Sequence, residues 1–185
     1  DGLISRIPGR GTFARQRPTP RPAGTLISFY EQVRGWGSRP SSRVIRAGLR
    51  PASTEETERL QLTPSASVVA ITRARLADDV PIAVEHACFP PHLADLLELD
   101  LESGSLHAAL HSRGRRPTVG SSVISAETAG PDAEWLAIGG SDPVLVEARL
   151  IVDQDAVPLE YTISRYVGAR YALNVAFDVR SPPER

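Results

Sequence analysis

The 185 residues are enough for one medium-sized domain with a short appendage, and a domain of that size buries most of its apolar surface without disulfide bonds. Hydrophobic residues make up 41% and charged residues 23%, which is ordinary for a globular chain, and no apolar run is long enough to cross a membrane. The single cysteine, Cys88, excludes an intramolecular disulfide and fits a reducing compartment, so we expect a cytoplasmic protein without membrane partners. The net charge of −1 gives no overall attraction to nucleic acid.

The beginning of the chain, residues 1–14, predicts a β-hairpin in a basic stretch. Residues 3–7 are typical of a strand, residues 8–11 of a turn, and residues 12–14 of a second strand. Asp1 is the only acidic residue before Glu31, whereas the same stretch holds Arg6, Arg10, Arg15, Arg17 and Arg21. A basic patch on a nearly neutral chain indicates an end that faces phosphate groups.

Residues 15–24 predict a semi-rigid linker. Pro18, Pro20 and Pro22 stand at alternate positions, and this spacing favours an extended, polyproline-like backbone. The main domain is expected over residues 25–180, and residues 181–185 form a tail.

Strand and helix signals alternate through the main domain. A capping box at Ser53 and Glu56 begins a short helix, and Asp78-Asp79 is a turn signal between two β-rich runs. The predicted helices are 26–34, 53–60, 93–97, 105–112 and 132–138, and the predicted strands are 39–48, 68–77, 80–89, 119–127, 144–152, 157–166 and 171–179. Because hairpins outnumber crossovers, we expect an α+β fold with a mainly antiparallel sheet and helices on one side.

Two of the predicted hairpins resemble each other. Residues 74–85 and 148–160 each begin with Ala-Arg-Leu, pass an acidic turn, continue with Val-Pro and an aliphatic residue, and end at Glu85 and Glu160. Either the two hairpins line one shared cleft, or the similarity is coincidental; the sequence leaves both interpretations open.

Charged residues on one predicted hairpin are the first candidates for a binding site. Arg73 and Arg75 share a face of their strand, since side chains alternate with a period of two. Two adjacent guanidinium groups either face solvent or hold a phosphate or carboxylate between them. Glu85 lies in an apolar run of the next strand and needs a partner, which is one of these arginines or a ligand hydroxyl or amine.

A later strand and a helix supply further polar candidates. Glu160 and Tyr166 share one strand face with Thr162 and Ser164, and this face borders either solvent or a wet cavity. Ser105 stands at a helix start, where it either caps the helix or helps to seat an anion.

His107 and His111 have the spacing of a zinc-binding pair, but the sequence has neither a Glu of the HExxH type between them nor a nearby Cys. We therefore predict neither a metal site nor another cofactor. The sequence also contains no glycine-rich phosphate loop, nucleophile elbow or persuasive Ser-His-Asp order.

Residues 2–14, Gly-Leu-Ile-Ser-Arg-Ile-Pro-Gly-Arg-Gly-Thr-Phe-Ala, resemble the wing of GntR-type winged helix-turn-helix regulators. The usual family string is close to G-L-I-x-R-x-P-G-x-G-T-F-V, and Ala14 replaces the usual Val. The resemblance implies contacts with operator DNA from Arg6, Gly9, Arg10, Gly11 and Thr12. The helix-turn-helix itself would precede Asp1, so we expect this chain to be part of a longer regulator.

The rest of the chain, about residues 26–177, resembles the UTRA effector-binding domain of the HutC subfamily of these regulators. The resemblance implies a fold of the chorismate-lyase type, an antiparallel sheet with flanking helices and a ligand cleft. It also implies a homodimer that responds to a small molecule, usually as a repressor. The matching segments are residues 28–31, 34–37, 40–44, 73–78, 81–85, 105–107 and 158–166.

Relatives that sense phosphorylated amino sugars imply roles for individual residues. The phosphate is expected on Arg73, Arg75, Ser105 and Ser28. The sugar is expected against Glu85, Glu160, Tyr166 and His107. His107 replaces the usual Tyr, and the sequence Tyr-Val-Gly-Ala-Arg-Tyr at residues 166–171 departs from the family's Y-R-G-D-R-Y, so the exact ligand stays open.

Two other functions remain as alternatives at this point. The first is a lyase that cleaves pyruvate from chorismate on the same fold. The predicted wing is evidence against this lyase, so we expect no enzyme activity. The second is a domain that has lost its ligand and serves only for dimerisation, against which the retained arginine and glutamate residues speak.

Overall fold

The computed structural model describes residues 4–7, 11–14, 19–22 and 28–174. The strands are β1 (Ile4–Ile7), β2 (Gly11–Ala14), β3 (Thr19–Pro22), β4 (Pro40–Pro51), β5 (Ser67–Ala77), β6 (Val80–Phe89), β7 (Val119–Thr128), β8 (Pro143–Val152), β9 (Pro158–Val167) and β10 (Tyr171–Asn174). The helices are α1 (Phe29–Gly35), α2 (Thr54–Arg59), α3 (Leu106–Ser112) and α4 (Ala133–Leu136), with 3-10 turns at Pro91–Glu98 and Gly130–Asp132. Within the described ranges, no helix is long and apolar enough to cross a membrane.

A six-stranded antiparallel sheet in the order β4-β5-β6-β9-β8-β7 forms the centre of the fold. The predicted α+β class with a mainly antiparallel sheet is therefore confirmed. The two hairpins with similar sequences, β5–β6 and β8–β9, meet along the β6–β9 pair, where Glu85 lies opposite Ser164. Each half of the sheet is a three-stranded meander, so the two similar segments occupy corresponding places on either side of the central pair.

The tight turn between β5 and β6 forms where the sequence predicts it. Asp78 and Asp79 both have positive φ angles, 49° and 64°, as a two-residue type I′ hairpin turn requires. The carboxylate of Asp78 also accepts a hydrogen bond from the backbone N–H of Arg39 at 2.8 Å, which fixes the start of β4 against this turn.

Helices cover both faces of the sheet, so the expectation of helices on one side is wrong. Leu106 and Leu110 of α3 pack with Ile71 and Phe89 on one face. Leu136 of α4 instead packs with Val84 and Val146 on the opposite face. Consecutive residues of β5, β6 and β8 are buried, so side chains on both faces of the sheet are covered. An antiparallel sheet that is buried in this way has other elements packed on each side.

β10 does not join the large sheet, although the sequence predicts a closing strand over residues 171–179. Tyr171–Asn174 pair in parallel with Thr19–Pro22, a segment of the predicted linker. Residues 175–179 and the predicted tail 181–185 lie outside the described residues.

β1 and β2 pair as an antiparallel hairpin, in which Arg6 is opposite Thr12 and Ile7 is opposite Gly11. The two strands that the sequence predicts within residues 1–14 are thus present. Gly9 and Arg10 of its predicted turn lie outside the described residues.

Candidate functional site

A cleft of about 340 Å³ lies between the sheet and the first residues of α1 and α3. We call it the inner cleft. It brings together seven of the eight residues predicted to bind a ligand, which come from three strands and from the start of each helix. Its lining residues are Ser28, Phe29, Arg73, Arg75, Glu85, Ser105, Leu106, His107, Arg149 and Glu160.

The two serines reach the inner cleft because each begins a helix. The Ser28 Oγ accepts a hydrogen bond from the Glu31 backbone N–H at 3.2 Å, and the Glu31 carboxylate accepts one from the Ser28 backbone N–H at 3.2 Å. The Ser105 Oγ accepts a hydrogen bond from the Ala108 backbone N–H at 3.3 Å. Capping therefore holds both hydroxyl groups at the edge of the cleft.

Arg73 and Glu85 form a buried ion pair at the floor of the inner cleft. The Arg73 Nη2 donates to the Glu85 Oε1 at 2.5 Å, and its Nη1 donates to the Leu101 carbonyl at 3.3 Å. The two side chains are directly opposite each other on β5 and β6, as the hairpin register requires. Of the partners expected for the buried Glu85, Arg73 is thus the one with which it forms a hydrogen bond.

Arg75 is held in place by three neighbours. Its Nη1 donates to the Ser42 Oγ at 2.8 Å, and its Nε lies 3.9 Å from the Glu85 Oε2. The guanidinium carbon stands 4.5 Å from the centre of the Phe29 ring, which is a cation–π contact. Both Arg73 and Arg75 are buried, so the alternative in which they face solvent is wrong.

Burial and neighbouring charges change the pKa values of this cluster. Burial by itself raises the pKa of Glu85, but the charges of Arg75 and Arg73 outweigh it and lower that pKa to about 2. Burial also lowers the pKa of Arg75 to about 10, against the opposing effect of Glu85. At neutral pH Glu85 and Arg75 are therefore both charged.

Glu160 of β9 and His107 of α3 form a second contact between polar side chains, on the other side of the inner cleft. The His107 Nε2 lies 2.8 Å from the Glu160 Oε2, and the Thr162 Oγ1 donates to the Glu160 Oε1 at 2.5 Å. Burial raises the pKa of Glu160, but His107 and Arg149 counteract it and the net pKa is about 2. Glu160 is thus a buried acceptor facing the inner cleft.

Tyr166 is the one predicted ligand residue that does not line the inner cleft. Its ring stacks on Tyr171 with 3.9 Å between the ring centres, and its hydroxyl donates to the Glu147 Oε2 at 3.4 Å. It therefore supports the sheet beside the cleft.

Arg149 lines the inner cleft but was not among the predicted binding residues. It lies on β8, and its Nη2 is 3.9 Å from the Glu160 Oε1. The repeated Ala-Arg-Leu pattern contained the signal that could have identified it, because Arg149 and Arg75 occupy the same place in the two similar hairpins.

Among the residues that the structure describes, three guanidinium nitrogens of this cluster are buried without a hydrogen-bond partner: the Nε atoms of Arg73, Arg75 and Arg149. A buried donor without an acceptor costs about 1–3 kcal/mol, and more when the group is charged. All three arginines line the inner cleft. Two of these arginines come from one half of the sheet and the third comes from the other half.

The two histidines of α3 do not form a metal site together. His107 pairs with Glu160, whereas His111 lies farther along the helix and is exposed. In the part of the chain that the structure describes, no group of three or more His, Cys, Asp or Glu side chains is arranged to hold a metal ion.

The sequence of the chain matches a known family. Residues 36–172 match the UTRA domain, and the chain belongs to that family. It is 30% identical over 178 residues to the HTH-type transcriptional repressor NagR of Bacillus subtilis, a match that covers 92% of this chain and 71% of NagR. It is 27% identical over 172 residues to the HTH-type transcriptional regulator GgaR of Escherichia coli, which covers 89% of this chain and 65% of GgaR.

Solved structures share the fold of this chain. The crystal structure of PhnF from Mycobacterium smegmatis superimposes with a TM-score of 0.83 at 24% identity, over 97% of this chain and 80% of that one. A GntR-family transcriptional regulator from Enterococcus faecalis superimposes with a TM-score of 0.63 at 28% identity, over 76% of this chain and 100% of that one. The relatives are transcription regulators, and this agrees with the expectation of a regulator in place of an enzyme.

Proposed function

We propose that this chain is the effector-binding and dimerisation part of a DNA-binding repressor of the HutC subfamily. Its effector is a small anionic metabolite, namely a sugar phosphate or an amino-sugar phosphate. The observation that carries the proposal is the set of three buried arginines, each with an unpaired Nε atom, around a cleft that also contains two buried carboxylates.

The anionic group of the effector binds at Arg73 and Arg75, with the hydroxyl groups of Ser28 and Ser105 at the edge of the same cleft. Guanidinium groups bind phosphate oxygens through charge-assisted hydrogen bonds, and the Nε atoms of both arginines still lack an acceptor. The two arginines are already positioned by Glu85, Ser42 and Leu101, so little side-chain freedom is lost on binding.

The body of the effector binds toward the other half of the sheet. Glu85 and Glu160 accept hydrogen bonds from hydroxyl or amine protons, and His107 forms the side wall. Arg149 donates from its unpaired Nε to an oxygen of the same body. An aromatic carboxylate has few donor protons for the two glutamates, so a polyol or amino-polyol fits this part of the cleft better.

Operator DNA is the second partner of the complete regulator. The β1–β2 hairpin is the wing, and Arg6, Gly9, Arg10, Gly11 and Thr12 contact the DNA backbone or the minor groove. Two such wings at a fixed spacing require a homodimer. NagR is described as a repressor, and this favours repression over the lyase alternative.

A thermal-shift screen tests the proposal. The protein is heated with sugar phosphates, amino-sugar phosphates, the matching unphosphorylated sugars and small carboxylates. We expect the phosphorylated compounds to raise the unfolding temperature and the unphosphorylated sugars to leave it unchanged. A shift caused only by carboxylates, or by none of the compounds, would contradict the proposed effector class.

A further inference from the structure

A second cavity opens directly beside the inner cleft. It measures about 900 Å³ and lies between the starts of α1 and α3, and we call it the outer groove. Ser28, Ser105 and His107 line both the inner cleft and the outer groove. The outer groove is completed by Tyr30, Glu31, Ala108, His111 and Pro117. The two spaces are thus adjacent, and these three shared side chains form the boundary between them.

The two spaces differ in chemistry. The inner cleft contains three arginines and two glutamates, whereas no arginine is among the described residues that line the outer groove. The outer groove instead offers the ring of Tyr30, the imidazole of His111 and the ring of Pro117. Its one carboxylate, Glu31, already accepts hydrogen bonds from Ser28. Flat, weakly polar side chains of this kind pack against the face of another ring.

We propose that the outer groove is a second subsite for the same effector, and that it takes a ring-bearing group attached to the anionic moiety in the inner cleft. This inference rests on the proposed function. The inner cleft is the smaller of the two spaces, about 340 Å³ against about 900 Å³ when both are measured with the open solvent at their mouths, so a group attached to the bound anion extends into the outer groove. Because Ser28 and Ser105 stand both at the anion site and at the groove, a substituent on the phosphate or on the sugar has a short path outward.

Calorimetric titration with matched phosphates tests this inference. The probes are glucosamine 6-phosphate, its phenyl glycosides of both anomeric forms, and its phenyl phosphodiester. We expect at least one phenyl derivative to bind about tenfold more tightly than glucosamine 6-phosphate, since a phenyl ring leaves water on entering the groove. The two kinds of derivative distinguish attachment through the sugar from attachment through the phosphate.

Two variants locate the gain. Ala108 is exposed on α3 and lines the groove, so Ala108→Leu fills the groove without disturbing the core. Ser112 is exposed on the same helix but does not line the groove, so Ser112→Leu is the matched control. Ala108→Leu should abolish the tenfold preference and keep the affinity for glucosamine 6-phosphate, whereas Ser112→Leu should keep both.

The remaining outcomes separate the two proposals. If glucosamine 6-phosphate binds but no phenyl derivative binds better, or if Ala108→Leu keeps the preference, the second subsite is overturned and the proposed function stands. If neither glucosamine 6-phosphate nor any phenyl derivative binds, both the proposed effector class and the second subsite are overturned.

Discussion

The imidazole Nε2 of His107 lies 2.8 Å from the Glu160 Oε2, and this contact joins α3 to β9 across the inner cleft. Thr162 donates to the other carboxylate oxygen, so both oxygens of Glu160 have protein partners. The carboxylate is therefore fixed in orientation before a ligand arrives. A fixed acceptor distinguishes ligands by the donor that they present to it.

Glu160→Gln should alter the choice among sugars and preserve the requirement for phosphate. The amide has no charge to attract an ammonium group, so we expect the difference in affinity between glucosamine 6-phosphate and glucose 6-phosphate to shrink. Calorimetric titration with both sugars and with inorganic phosphate measures this. Equal losses for all three ligands would indicate that Glu160 has a general structural role.

Arg73→Ala should strongly weaken binding of the best anion from the thermal-shift screen. Loss of a charge-assisted hydrogen bond costs about 1.5–3 kcal/mol, which is about ten- to a hundredfold in the dissociation constant. The matched control is Arg43→Ala, because Arg43 is exposed on the neighbouring strand β4 and does not line the cleft. An unchanged affinity in the Arg73 variant would place the pocket elsewhere.

Acid should destabilise the fold partly through Glu56, which pairs with Arg50 at 2.6 Å. The hydrogen bond from Arg50 lowers the pKa of Glu56 from 4.5 to about 2. Because the folded-state pKa is below the ordinary value, this pair stabilises the fold above about pH 4.5, and the contribution is lost as the pH falls toward 2.

Urea unfolding at pH 7, 5 and 3 measures this contribution. Glu56→Gln should reduce the free energy of unfolding by about 1–3 kcal/mol at pH 7, and its difference from the wild type should narrow at pH 3. Glu58→Gln, on the exposed side of the same helix, should have little effect at any pH. A difference for Glu56→Gln that stays constant with pH would refute the ion-pair explanation.

The chain of 185 residues should bind DNA weakly and without sequence preference. Contacts of the predicted wing with phosphates position a protein but do not read bases. Electrophoretic mobility shifts at increasing salt measure this, and we expect binding to disappear at modest salt concentrations. Tight binding to one operator sequence would contradict the wing assignment.

Light scattering at micromolar concentration should report a homodimer. Two half-sites on an operator require two copies at a fixed spacing, and the resemblance assigns dimerisation to this domain. A monomer across the micromolar range would contradict this part of the proposed function.

The strand period of two was sufficient to predict the first half of the site. Arg73, Arg75 and Glu85 belong to one hairpin, and local alternation places them on one face. Arg149 belongs to the other hairpin. Its position beside the first three residues depends on the pairing of β6 with β9, which brings together strands that are far apart in the chain. Local patterns do not determine such a pairing, so the sequence could only suggest a shared cleft.

The positions of the helices were also beyond local patterns. The capping boxes at Ser28 and Ser53 and the cap at Ser105 determine where α1, α2 and α3 begin. The face on which each helix packs depends on the whole sheet, and α4 reaches the opposite face through Leu136. The sequence predicts a helix over residues 93–97, and the structure has 3-10 turns over residues 91–98. An α-helix does not form there because Leu93 has non-helical backbone angles.

The two meanders are joined in the large sheet by one strand pair, β6–β9, which we call the seam. A ligand held by Arg73 and Arg75 on one side and by Arg149 and Glu160 on the other bridges this seam. Its binding energy then opposes any change in the relative twist of the two halves. α1 packs through Phe29 and Val33 on Ala83 and Tyr166, and these two residues are opposite each other across the seam. We therefore expect a bound effector to stiffen this strand pair and, with it, the seat of α1.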